Sequence, residues 1–169
     1  MQVHVAQADI TNMPVDAIVN PANSRGEMAG GLAAAIVEHG GVQIQQEAIA
    51  AAPIAVGAAL VTTAGELPAR AIIHAPTAEE PGERTGAEQI RRAARAALLA
   101  CDANQYRVVA IPGMGAGAGG VPVEDAARAI VEEIRAHRRP YPETIYLVDT
   151  APDMVEAFED ALRNAQAAM

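Results

Sequence analysis

The chain has 169 residues, 51% of them apolar, a formal net charge of −9 and a single cysteine, Cys101. That length suits one domain with a full hydrophobic core, expected over 1–169. The acidity argues against a general nucleic-acid binder, which neutralises many phosphates with cations, so long nucleic acid is not an expected partner. One cysteine excludes an internal disulfide. No apolar run has the length of a membrane span, and no charged-then-apolar opening segment points to export, so a cytoplasmic protein without a membrane partner is expected. All twelve basic residues are arginine, which excludes mechanisms built on a lysine nucleophile, a Schiff base or a P-loop lysine.

The first segment, 2–7, alternates Val3 and Val5 with polar residues, as a half-buried edge strand does. It runs into Ala8-Asp9-Ile10-Thr11. A buried strand follows from Ala17 and ends at Asn20, so that Asn20 and Asn23 fall just past its carboxyl end. Gly30 and Gly31 then open a helix over 32–39, stopped by Gly40 and Gly41. A second helix is expected over 42–52, ending at Pro53, then strands at 59–63 and 71–74 separated by a turn. Pro76, Pro81 and Gly82 mark 76–86 as a surface loop. Thr85 and Glu88 fit a capping box for a long helix over 87–104. An apolar strand at 108–112 leads into GMGAGAGG at 113–120, and Pro122 starts a helix to about 137. The last strand is 144–149, with Thr150, Pro152 and Asp153 capping a final helix over 154–165.

Strands alternating with helices give an α/β class with helices on both faces of a largely parallel sheet. Such sheets bind ligands outside the carboxyl ends of the strands, and both glycine loops, 29–31 and 113–120, lie there. Two strand–glycine loop–helix units suit a central diphosphate held by backbone N–H groups from opposite sides, with no cationic side chain. Glycines also serve tight turns and close packing, and Gly30 with Gly31 fits either role. Gly115, Gly117 and Gly120 match G-x-G-x-x-G, but the acidic residue expected about 20 positions on is missing. Asp9 could accept from an exocyclic amine or simply cap a turn at Thr11. His74 reads as a packed, hydrogen-bonded histidine and Cys101 as a small core residue. Arg91, Arg92 and Arg95 read as a solvated helix face. His4, His39 and His137 lack companions at metal-ligand spacing, so neither a metal nor another cofactor is expected.

These residues together resemble the macro domain family over nearly the whole chain. ADIT at 8–11 resembles its Gly-Asp-Ile-Thr, and DAIVNPAN at 16–23 its Asp-Ala-Ile-Val-Asn-Ala-Ala-Asn. AGGLAAAI at 29–36 resembles its triple-glycine helix start, GELPARAIIHA at 65–75 its strand ending in Ile-His, and IPGMGAGAGGVPVEDAA at 111–127 its second phosphate loop. The resemblance implies a three-layer α/β/α sandwich around a mixed, largely parallel six-stranded sheet, with ADP-ribose as ligand. It implies that Asp9 accepts from the adenine amine and Ile10 offers its backbone amide. Asn23 would bond the distal ribose, with Asn20 close by. Gly30, Gly31 and Leu32 would line the first phosphate loop, and Gly113, Gly115, Ala116, Gly117, Ala118 and Gly119 the second.

Three departures stand out. Ala29 replaces the first glycine of the triple. Gly119 stands where many members carry Tyr or Phe, and the loop after the last strand offers no aromatic to cover adenine. Two lost stacking contacts at about 1 kcal/mol each imply binding weaker by roughly thirtyfold. Family hydrolases use an aspartate at the position of Ala33, or a lysine, and this chain has neither. The remaining route would let the ligand's phosphate hold the water while Asn23, the candidate catalytic residue, orients the ribose. The expected ligands are therefore ADP-ribose, ADP-ribosylated protein and O-acetyl-ADP-ribose, with slow hydrolysis left open. The alternative is a nucleotide or RNA-end binding module that uses the same cleft without hydrolysis.

Overall fold

The computed structural model describes residues 1–168; Met169, the last residue of the expected 1–169 domain, lies outside the described residues. Six strands form one sheet in the order β1-β6-β5-β2-β4-β3. They are β1 (Gln2–Gln7), β2 (Ala17–Asn23), β3 (Leu60–Thr63), β4 (Ala71–Ala78), β5 (Val108–Ile111) and β6 (Thr144–Asp149). All neighbours run parallel except β3, which pairs antiparallel with β4 at one edge. The helices are α1 (Gly31–Gly40), α2 (Gln43–Ala50), α3 (Ala87–Ala103), α4 (Val123–Ala136) and α5 (Pro152–Ala167), with a 3-10 turn at Ile10–Asn12.

The period-2 alternation of strands builds the layers. Ala17 and Val19 of β2, Ala71 and Ile73 of β4, and Val109 and Ile111 of β5 face the core shared with α3, α4 and α5. Ile18, Ile72 and Ala110 face the other side, packed with Ile36 of α1 and Ile44 of α2. The result is the expected three-layer α/β/α sandwich around a mixed, mostly parallel sheet. Bulk comes from aliphatic residues and from Phe158, while α3 presents Ala93, Ala94 and Ala97 to the sheet, so this helix can approach closely.

Three local expectations are corrected. First, β2 runs three residues further than read, to Asn23, and β4 four further, to Ala78. Pro76 is tolerated because β3 ends at Leu60, opposite His74, leaving β4 a neighbour only on its β2 side. Second, Thr85 does not cap α3: Gly86 holds the N-cap position without a side-chain bond. Third, the arginines on α3 are tied rather than simply solvated. Arg91 donates to Glu132 at 2.6 Å, Arg95 to both oxygens of Glu133, and Arg92 to the Val56 carbonyl at 2.9 Å. No helix among the described residues is long and apolar enough to cross a membrane.

Candidate functional site

The carboxyl ends of β1, β6, β5, β2 and β4 open into a cleft of about 900 Å³, in the size range of small-molecule sites. The topology gives it two ends. Asp9 follows β1 and Asp149 ends β6 at one end; Asn23 and the Thr77–Glu83 segment, following β2 and β4, form the other. The two glycine loops face each other between them.

The first loop is backbone presented to open space. Gly30 is extended, with φ −143°, as the N-cap of α1, and Gly31 has φ +58°. A Cβ built on either would meet nothing within 4 Å, so neither glycine is required by packing. The N–H groups that begin α1 have no partner one turn earlier and carry the positive end of the helix dipole. Ala29 is not in the left-handed region, so its replacement of glycine costs no backbone strain.

The second loop is more telling. Its carbonyls are tied off: Gly115 accepts from the Val121 amide at 3.0 Å, Gly117 from Gly120 at 3.1 Å, and Gly119 from Thr85 at 2.9 Å. The amides of residues 115–119 find no acceptor within the described chain. With every second carbonyl bonded, the amides of this run are left as unpaired donors, which an anion could take up. Thr85 does double duty here, because its hydroxyl also donates to the Thr77 carbonyl at 2.6 Å. The residue expected to cap a helix instead fastens the loop to the end of β4.

Asp149 is a second fastener that sequence reasoning missed. Its Oδ2 accepts from the Gly113 amide at 3.1 Å and its Oδ1 from the Ala151 amide at 3.0 Å. One carboxylate thus locks the start of the glycine loop to the turn after β6. An acid closing an apolar strand was the available signal, but its partner lies 36 residues away.

Asp9 caps the 3-10 turn, accepting at Oδ1 from the Thr11 amide at 3.0 Å and the Thr11 hydroxyl at 2.6 Å. The hydroxyl bond, then the amide bond, holds its carboxyl below the usual 3.8. The turn-capping role is thus observed, and it leaves Oδ2 without a partner within the described chain on a residue that lines the cleft. Ile10 beside it is buried by its side chain yet also lines the cleft.

Asn23 lines the cleft, but its amide already organises the following loop. Oδ1 accepts from Arg25 N at 3.0 Å and Glu27 N at 3.4 Å, and Nδ2 donates to the Glu27 carbonyl at 2.8 Å. One Nδ2 proton remains for a ligand. Asn20 does not reach the cleft. It sits inside the lengthened β2, on the α1 face, where Nδ2 meets His74 Nδ1 at 3.2 Å and Oδ1 is buried without a partner. His74 in turn meets Thr62 Oγ1 at 2.8 Å, and burial pushes its imidazole down to about 4. Cys101 is buried in the core as read, its thiol raised to about 12 by burial. Leu32, Ala116, Ala118 and the remaining expected glycines line the cleft. Ala33 lines it too, so α1 brings no carboxylate.

The Macro domain family matches residues 19–130, and the chain belongs to that family. A protein of Aquifex aeolicus is 51% identical over 162 residues, covering 96% of this chain and 98% of its own. Among solved structures, a Trypanosoma brucei macrodomain in complex with ADP-ribose superposes with a TM-score of 0.84 at 22% identity, over 95% of this chain and 69% of that one. An Oceanobacillus iheyensis macrodomain with MES bound gives 0.86 at 20% identity, over 98% and 92%. At these identities the two structures speak for the fold.

Proposed function

We propose that this macro domain binds ADP-ribose and ADP-ribosyl conjugates, among them ADP-ribosylated protein and O-acetyl-ADP-ribose. The observation that carries the reading is the second glycine loop, whose carbonyls are bound away while the amides of 115–119 are left as donors opposite the start of α1. A diphosphate between the two loops would receive N–H groups from both sides. Asp9 Oδ2 would accept the adenine amine, the Ile10 amide would donate to the base, and the free proton of Asn23 would reach the distal ribose. The family's hydrolytic aspartate has no counterpart at Ala33, so turnover would depend on a water held by the ligand's phosphate.

Calorimetry with ADP-ribose, against AMP as control, tests binding. Gly117 suits the variant, since a Cβ there meets nothing within 4 Å and its φ is not positive. Gly117→Leu should keep the fold and fill the cleft, lowering affinity at least about tenfold, or about 1.4 kcal/mol. Unchanged affinity would remove the phosphate from this loop. Turnover is followed separately, as free ADP-ribose released from modified protein or from O-acetyl-ADP-ribose. Asn23→Ala is a poor probe of chemistry, because it also releases the 23–27 loop.

A further inference from the structure

Among the described residues the cleft is lined by six carboxylates, Asp9, Glu27, Glu80, Glu83, Asp149 and Asp153, and by no arginine or histidine. No cationic side chain is there to compensate a diphosphate, so affinity depends on where the two loops hold their amides. The second loop has its fasteners in Thr85 and Asp149. The first loop ends in a glycine pair that nothing braces: a Cβ on Gly30 or Gly31 would meet no atom within 4 Å. Asn23 closes the turn over 23–27 with its carboxamide. Beyond it, the Met28 amide donates to Oε1 of Gln45, on α2, at 2.6 Å. Within the described chain no other backbone N–H or carbonyl of residues 28–30 is bonded outside α1.

Helix α2 is the bed on which this segment rests. Gln45 and Ala48 lie one turn apart on one face of it, and the Gly26 backbone packs against Ala48. A Cβ on Gly26, φ +75°, would lie 2.6 Å from the Ala48 carbonyl oxygen. The helix itself is pinned, with Ile44 and Ala48 buried and Glu47 Oε1 accepting from the Thr63 amide of β3 at 3.2 Å. We propose that Gln45 is the positioning residue of the first phosphate loop. By holding the Met28 amide, its carboxamide oxygen sets how the N–H groups that open α1 face those of 115–119. The inference rests on the reading that the cleft holds ADP-ribose. Gln45 does not line the cleft, so it acts through Met28 and not on the ligand. The buried Met28 side chain fixes where the segment crosses α2. The hydrogen bond fixes how the peptide plane is turned, which decides the path of residues 29–31. Without that acceptor the glycine pair is free to take other paths. Only molecules with the loop in place then bind, and affinity falls with their fraction.

Gln45→Met keeps the length of the side chain and removes the acceptor, whereas Gln45→Glu keeps the acceptor. Both variants and the unmodified protein are titrated with ADP-ribose by calorimetry at roughly 0.5 M salt, which screens the charge that glutamate adds. Amide exchange of Met28 is followed in parallel by NMR. Gln45→Met should lose about fivefold in affinity, the population shift that one net hydrogen bond supports, and its Met28 amide should exchange faster by a similar factor. Gln45→Glu should bind within about twofold of the unmodified protein and keep that amide protected. Gln45→Asn, a methylene too short to reach Met28, should repeat the loss and serves if methionine disturbs α2. Unchanged affinity in the variants without the acceptor would overturn the inference. So would equal losses in Gln45→Met and Gln45→Glu, because side-chain shape and not the acceptor would then be at work. Failure of the unmodified protein to bind ADP-ribose would instead overturn the reading beneath, with the exchange results still reporting the Met28 bond.

Discussion

Acidification should weaken the fold through His74. An unfolded chain binds the imidazole proton near 6.5, whereas the folded one, where burial opposes the cation, binds it only near 4. Between those values the unfolded state holds more protons. The neutral ring therefore contributes its full stability above about pH 6.5, and that contribution is lost as the pH falls toward 4. The displacement corresponds to about 3 kcal/mol in all, of which about 2 kcal/mol should vanish between about pH 7 and pH 4.5. With a urea dependence of about 2 kcal/mol per molar, the unfolding midpoint should drop by about 1 M over that interval. His74→Gln keeps a polar side chain between Asn20 and Thr62 and cannot titrate. Its stability at neutral pH should be lower, but its profile across the same interval should be flatter by that amount. Parallel profiles for the two proteins would refute the reasoning, because they would place the proton uptake elsewhere.

Thr85→Val removes the hydroxyl bond to the Thr77 carbonyl and keeps the volume. It should cost about 1 kcal/mol, lower Tm by about 2–4 °C in a scanning measurement, and weaken ADP-ribose binding as the glycine loop loosens. Asp149→Asn leaves a single amide oxygen to serve two backbone donors, Gly113 and Ala151. Equilibrium denaturation should show a loss of about 1 kcal/mol, and an ADP-ribose affinity matching wild type would show that the Gly113 anchor is not needed. With no aromatic at Gly119 or after β6, the dissociation constant for free ADP-ribose should stay above about 1 μM, as two missing stacking contacts imply; a submicromolar value by calorimetry would count against that account. The same constant should fall rather than rise as salt is added, the reverse of ordinary phosphate binding.

The layers were legible in the sequence because strands alternate with helices along the chain and the apolar run at 108–112 reads as a strand buried on both faces. Where the sequence misled, the cause was a contact between distant residues. Pro76 looked like the end of order because nothing local reveals that β3 stops at Leu60 and frees that side of β4. Extending β2 by three residues past Asn20 moved this asparagine from the cleft into the sheet, where strand alternation turns it toward α1. Thr85 and Glu88 satisfy a capping pattern, yet the Thr85 amide is drawn to Gly119, on a loop 34 residues away. The glycine loops themselves were readable, since a backbone that must be bare announces itself in composition. What fastens them, Thr85 and Asp149, was not.

Gly119 carries a consequence for how this cleft can change over generations. A Cβ there would lie 2.5 Å from the Gly115 carbonyl oxygen and 2.8 Å from Thr85 Cγ2. No side chain can be introduced at that position while the turn keeps its present curl. An aromatic side chain on this wall of the cleft is therefore not one substitution away: the Gly115 turn and the Thr85 anchor would have to be rebuilt in the same lineage. A side-chain wall here and retention of this loop are alternatives, and the chain occupies the branch that keeps the wall bare.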